Sequence, residues 1–170
     1  MIRKASKQDL STIAKIRIDN WRTTYKGLLP QSFLDDLDYA KEAANWLKFI
    51  QTDNCLLYVA IDDNGEILGF IGNKILVTED SKMGEIYALH TDEKHRGKGV
   101  GKALIHFSIK LFKAENINQM YLWVVVGNTN AIEIYEHLGA TIYTERVEVI
   151  NEVDVPEIGM KWFDIEDFFK

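Results

Sequence analysis

The stretch 84–104, GEIYALHTDEKHRGKGVGKAL, constrains this chain more than any other: a strand-like segment runs through a polar turn into a glycine-rich basic loop and an amphipathic helix. Gly97, Gly99 and Gly101 alternate, so no side chain keeps an anion from the backbone N–H groups that open the helix. Helix N-termini carry unpaired donors and about half a positive charge, and Lys94, Arg96, Lys98 and Lys102 gather basic charge beside them. The pattern predicts a cradle for a polyphosphate. It is not a P-loop, because Lys102 is followed by Ala103 rather than a magnesium-binding Ser or Thr. Nor is it a dinucleotide fingerprint, which sets its third glycine one residue later, early in the chain, with an acidic residue about 20 positions on.

The remaining segments alternate in a way that supports one domain. Residues 2–5 predict a short strand, and Ser6 with Asp9 a capping box. Leu10, Ile13, Ala14, Ile16 and Trp21 give a helix through about Asn20. Gly27 and Pro30 break it. A helical region follows at 31–51, in two pieces. Residues 55–62 and 66–77 are apolar runs around Asp63-Asn64-Gly65, a hairpin signal. Residues 83–91 extend the sheet, and 98–114 predict a helix with Leu104, Ile105, Ile109 and Leu111 inward. Residues 119–126 form the next strand, whose Val124-Val125-Val126 run fits burial on both faces. A short helix at 128–138 is stopped by Gly139, residues 141–150 and 153–163 form a closing hairpin, and 164–170 add a helical turn. The order βααβββαβαββ specifies an α/β (α+β) fold: a mixed, mostly antiparallel sheet of about seven strands with about four helices on its two faces.

At 170 residues the chain buries a core without metals or disulfides. Its single Cys55 fits a buried thiol in a reducing compartment, and 1–20 lack a signal peptide, so a cytoplasmic protein without membrane spans is expected. The net charge of −6 and pI near 5.2 argue against nucleic-acid binding and favour a cationic small-molecule partner. His95, His106 and His137 show no metal-binding spacing, so no metal is expected.

The loop resembles the Arg/Gln-x-x-Gly-x-Gly signature of the GNAT (GCN5-related) N-acetyltransferases. A second segment, Asn128-Thr129-Asn130-Ala131-Ile132-Glu133-Ile134-Tyr135-Glu136-His137-Leu138-Gly139-Ala140, resembles that superfamily's Asn-x-x-Ala-x-x-x-Tyr-x-x-x-Gly-Phe, departing at Ala140. The resemblance implies a GNAT fold whose fourth and fifth strands splay apart, acetyl-CoA as co-substrate, and direct attack by an amine in a ternary complex. The coenzyme diphosphate would meet Arg96, Gly97, Lys98, Gly99, Val100, Gly101 and Lys102, and its pantetheine arm the backbone of Leu89, His90 and Thr91, with Asn128 and Tyr135 beside it.

The attacking amine is protonated at neutral pH and needs a base. Glu85 is the first candidate, against a solvent-facing carboxylate that begins a strand. His90 is the alternative, although strict alternation puts Glu85, Tyr87 and Leu89 on one face and His90 on the other. A backbone N–H near Leu89 would stabilise the developing oxyanion. Tyr135 matches the family's general acid, or is a core tyrosine; Asn128 binds pantetheine, or caps its helix. Trp21, Tyr25 and Phe33 are core residues or, with Glu85 and Tyr87, line the acceptor side. Cys55, far from both signatures, is not a covalent nucleophile. The expected acceptor is a small cationic amine such as a polyamine, ahead of a peptide or protein N-terminus; a non-catalytic acyl-CoA-binding regulator is the rival class, and a homodimer is compatible with either.

Overall fold

The computed structural model describes residues 1–79 and 81–169. Their strands are β1 (Ile2–Lys4), β2 (Cys55–Ile61), β3 (Ile67–Val77), β4 (Lys82–Thr91), β5 (Met120–Val125), β6 (Thr141–Ile150) and β7 (Val153–Trp162). The helices are α1 (Leu10–Thr24), α2 (Gln31–Asp35), α3 (Tyr39–Gln51), α4 (Val100–Ala114) and α5 (Thr129–His137). The strands form one sheet in the order β1-β2-β3-β4-β5-β7-β6, antiparallel throughout except for the β4–β5 pair. This is the mixed, mostly antiparallel sheet expected, with the 31–51 region divided into α2 and α3. The tail forms a 3-10 turn over Ile165–Phe169, and Lys170 lies outside the described residues.

Local chemistry sets the element ends. Asp9 accepts from the Ser6 N–H at 2.7 Å, closing the predicted capping box, and Arg3 grips the same carboxylate at 2.8 and 2.9 Å. That grip holds the Asp9 carboxyl below the ordinary carboxylate range. Asn151 and Glu152 both take left-handed φ, 48° and 65°, as a two-residue hairpin turn requires. Helix α4 begins at Val100 rather than Lys98, because Gly97 and Gly99 take φ of 74° and 79°, which no right-handed helix contains. Its buried face is completed by Phe112, not Leu111, since Leu104, Ile105, Ser108, Ile109 and Phe112 keep the three-to-four spacing.

Two apolar layers flank the sheet. On the front, α1 and α3 cover β2, β3 and β4 through Ile13, Ala14, Trp46, Leu57, Phe70 and Ala88. On the back, α4 and α5 pack on Ile71, Ile86, Leu122, Met160 and Trp162. A third cluster of Trp21, Phe33, Leu34, Val125 and Val155 ties the α1–α2 region to the far ends of β5 and β7. Val124 faces the back cluster and Val125 the third, so β5 is buried on both faces there, while Val126 is exposed.

The sheet is incomplete where it matters. Only Gly84, Glu85 and Ile86 of β4 pair with β5, opposite Met120, Tyr121 and Leu122. Beyond them β4 carries a bulge: Ile86 pairs with Asn73 and Ala88 with Gly72, leaving Tyr87 without a partner. A bulge raises local twist and bends its strand. From Tyr87 onward β4 stays with β3 and leaves β5, and the two parallel strands splay apart as expected.

Candidate active site

The splay opens into a cleft of about 1330 Å³ that runs from the glycine loop, past the ends of β4 and β5, to the β6–β7 hairpin. The loop forms its first wall. Asp92 accepts from the Lys94 N–H at 3.0 Å and starts a 3-10 turn over Glu93–His95, which delivers Arg96 to the cleft. The first helical bond of α4 runs from the Ala103 N–H to the Gly99 oxygen, so the N–H groups of Val100, Gly101 and Lys102 have no partner within the helix. At Gly97 and Gly99 an added Cβ would meet nothing within 4 Å. Backbone conformation, not crowding, therefore demands glycine at both.

The second wall is the free edge of β4. Asp92 N–H bonds the Leu68 oxygen, and bonded pairs alternate along an antiparallel ladder, so Ala88 and His90 exchange bonds with β3. Leu89 and Thr91 then turn their backbone groups toward the gap. The Thr91 carbonyl does accept from that side, from Asn20 Nδ2 on α1 at 2.9 Å. Asn20 is 7% exposed, and its Oδ1 accepts from Arg96 Nη2. One buried amide on α1 thus ties the glycine loop to the end of β4.

The bulge changes which side chains face the cleft. Tyr87 packs edge-on to Trp46, Ala88 joins the front cluster, and His90 tilts against Phe70, whereas Leu89 packs on the back cluster. Glu85, Tyr87 and His90 therefore share the front, and Leu89 is the one turned away: the reverse of strict alternation, because the extra residue shifts the pleat by one. His90 is buried. That burial, with Arg17 and Arg96 nearby, pushes its imidazole down to about 3.

Glu85 sits at the fork, 8% exposed. Burial pushes its carboxyl above the ordinary range, opposed by Lys74, whose Nζ lies 3.9 Å away, by Arg146, and by a hydrogen bond from the Tyr121 hydroxyl. Tyr135 lines the cleft from α5, its ring edge-on to Trp162 at 6.1 Å; burial, reinforced by the Tyr25 phenol, raises its pKa and keeps it neutral. Asn128 caps α5, its Oδ1 accepting from the Ala131 N–H at 3.4 Å, while its amide hydrogen-bonds Tyr25.

The cleft gathers Trp21, Tyr25, Glu85, Tyr87, Leu89, His90, Thr91, Arg96, Gly97, Gly99, Val100, Gly101, Lys102, Asn128 and Tyr135. It does not gather Phe33, which lies buried against Trp21 in the third cluster, or Lys98. Sequence reasoning passed over Arg17, Asn20, Tyr121, Trp123, Arg146, Glu148 and Glu157. Asn20 carried a signal: it lies four residues after Ile16 and seven after Ile13, a core position occupied by a polar side chain. Among the described residues there is no group of side chains suited to a metal ion, and no helix is long and apolar enough to cross a membrane.

A glycine cradle at a helix start, beside two diverging parallel strands with a carboxylate at their fork, defines an acyl-coenzyme A-dependent transferase class. The model of the acetyltransferase (GNAT) family matches residues 16–140, and the chain belongs to that family, whose members are acetyl-CoA-dependent N-acetyltransferases. It is 27% identical to the uncharacterized N-acetyltransferase YuaI of Bacillus subtilis (strain 168), over 96% of this chain and 93% of that one. It is 25% identical to the spermidine N(1)-acetyltransferase of Thermoplasma acidophilum, over 79% of this chain and 83% of that one. Among solved structures, the PaiA N-acetyltransferase of Thermoplasma acidophilum in complex with coenzyme A superposes with a TM-score of 0.69 at 22% identity, covering 95% of this chain and 96% of that one. The chain spans about a third of the length of the mycothiol acetyltransferases it also matches.

Proposed function

We propose that the protein transfers the acetyl group of acetyl-CoA to the primary amine of a small cationic acceptor, by direct attack with both substrates bound. The observation that carries this reading is the gap between β4 and β5, which runs from the glycine cradle to Glu85 with the backbone of Leu89 and Thr91 turned into it.

The residues fit the coenzyme. N–H groups of Val100, Gly101 and Lys102 take the diphosphate, and Arg96 and Lys102 supply countercharge. Leu89 and Thr91 present the backbone donors and acceptors that the amides of the pantetheine arm need, an added-strand mode of recognition, with Asn128 across the gap. Bound there, acetyl-CoA supplies an activated acyl carbon. The Leu89 N–H stabilises the charge that develops on the thioester oxygen, a type of contact whose loss costs about 3 kcal/mol.

Glu85 is the base. Its desolvated carboxylate accepts a proton more readily than an exposed one, and the proton it takes comes from the acceptor's ammonium. His90 shares its face, but an imidazole held near 3 has little affinity for a proton at neutral pH. Tyr135, held as a neutral phenol, is the proton donor to the leaving thiolate. A cationic acceptor suits a chain of net charge −6 and a cleft that includes Glu42, Glu85, Glu148 and Glu157. The similarity to a spermidine acetyltransferase points the same way.

Release of free thiol from acetyl-CoA, followed across a panel of primary amines beside thermal stabilisation by coenzyme A, tests this. Turnover on small di- and polyamines is expected. Stabilisation without turnover on any amine identifies a sensor instead.

A further inference from the structure

The far wall of the cleft is β5, β7 and β6, which α1 and α2 meet at Val125 and Val155 through Trp21, Phe33 and Leu34. Its floor is aromatic. Tyr121, Trp123 and Tyr143 lie within 6.3 Å of one another, centroid to centroid, and Gly159 between them makes room: a Cβ there would stand 2.8 Å from the Tyr143 ring and 3.1 Å from Trp123. Strand register sets Glu157 directly across from Arg146, and Trp123 across from Gly159.

On this floor stands a box for a cation, with one of the protein's own cations inside. Arg146 Cζ lies 4.0 Å from the Trp123 ring centroid. Its Nε and Nη2 approach Glu157 Oε2 at 2.8 and 2.7 Å, and Nη2 approaches Glu148 Oε2 at 3.4 Å. Trp123, Arg146, Glu148 and Glu157 all line the cleft, and Glu85 is near enough for Arg146 and Glu148 to alter its acidity. The walls and the occupant differ in how firmly they are held. Glu157 comes from β7, flanked by β5 and β6, and its side chain is 13% exposed; Arg146 comes from the edge strand, and its side chain is 37% exposed with solvent beside it.

We propose that Trp123, Glu148 and Glu157 form a subsite for a second cationic group of the acceptor, that the acceptor class is therefore a diamine, and that Arg146 is the resident stand-in it displaces. An aromatic face with a desolvated carboxylate is what a second ammonium needs. The reacting amine lies at Glu85, and this inference rests on the transferase reading for that assignment alone. Arg146 becomes a specificity residue: a monoamine gains nothing by evicting it, and a diamine replaces its contacts one for one.

The test is calorimetric titration of the protein alone with α,ω-diaminoalkanes and with monoamines of equal length. Arg146→Met should bind the matching diamine about tenfold tighter than wild type, the order of a cation–π contact plus a partly exposed ion pair. Monoamine binding should not change. Lys48→Met, the same loss of charge at another point of the cleft, should shift diamine binding less than about twofold. Adding Trp123→Leu to Arg146→Met should cancel the gain. Arg146→Gln replaces the methionine variant if that one melts early. No gain, or an equal gain with monoamines or in Lys48→Met, overturns the subsite. Thiol release separates the two readings: diamine preference without turnover leaves the box and removes the transferase, and turnover without diamine preference does the reverse.

Discussion

The two ends of the cleft are made from different materials. The β4–α4 end is backbone: N–H groups ahead of the Ala103–Gly99 bond, two glycines at left-handed φ, and the Leu89 and Thr91 edge. The β5–β6 end is side chains: Glu85 under Lys74 and Tyr121, and Arg146 between Trp123, Glu148 and Glu157. Backbone geometry tolerates little variation and reads any diphosphate alike, whereas side-chain boxes are rebuilt by single substitutions. A family that keeps its donor and varies its acceptor is served by that division, and damage to each end should register in a different kinetic constant.

The largest effect is expected at the side-chain end. Glu85→Gln should lower turnover about 10²- to 10³-fold, the usual worth of a positioned base, and leave the KM for acetyl-CoA within about twofold. The pH dependence carries a sign. Burial raises the Glu85 pKa, so activity should climb with pH through a limb above the ordinary carboxylate range, and that limb should vanish in Glu85→Gln. Because Lys74 lowers the same pKa, Lys74→Met should move the limb to higher pH. A limb that persists in Glu85→Gln clears Glu85 of the role.

Tyr135→Phe comes next. A thiol ionises near 8.5 and leaves with less help than the amine needs, so turnover should fall by about tenfold to a hundredfold with coenzyme affinity intact. Unchanged turnover removes Tyr135 as the acid and leaves it as a core tyrosine against Trp162.

At the backbone end the effect should move to binding. Gly99→Ala puts a Cβ on a residue with φ of 79°, costing about 1 kcal/mol of backbone strain, and the new methyl has room because nothing lies within 4 Å. The strain falls on the residue that caps α4, so the KM for acetyl-CoA should rise about tenfold while turnover at saturation holds. Equal losses in both constants would show that the two ends are not separable.

The same division decided what the chain disclosed before its structure. The backbone end was legible, because alternate glycines before an amphipathic segment have few physical meanings, and Asn128 to Gly139 sits at fixed spacing within one helix. The element order was legible for a similar reason: periodicity and turn chemistry are local. The side-chain end was not. An unpaired Tyr87 inverts the faces of Leu89 and His90, and no local pattern marks a bulge inside an apolar strand. Arg146, Glu157 and Trp123 meet because β7 inserts between β5 and β6, a pairing on which strand propensity is silent. Phe33 was an aromatic in a short helix, and only its packing with Trp21, Val125 and Val155 places it behind the wall.

Asn20 ties together two parts of the backbone end, the glycine loop and the β4 edge, and a change there gives the smallest and most discriminating effect. Its Oδ1 holds Arg96 of the glycine loop, and its Nδ2 holds the Thr91 carbonyl at the edge of the gap. Asn20→Ala leaves a half-buried carbonyl short of its donor and frees the arginine, a loss on the order of 1–2 kcal/mol. Helix α1, anchored by Ile13, Ala14 and Ile16, should survive that. The KM for acetyl-CoA should rise about fivefold, with turnover down about twofold because β4 also positions Glu85. Asn20→Asp keeps an acceptor for Arg96 and loses the donor to Thr91. If Asp restores coenzyme affinity, the arginine contact is the one that matters; if it does not, the Thr91 carbonyl is. An Asn20→Ala enzyme with unaltered constants would mean that loop and strand hold their places without α1, and that the backbone end needs no side chain to keep its shape.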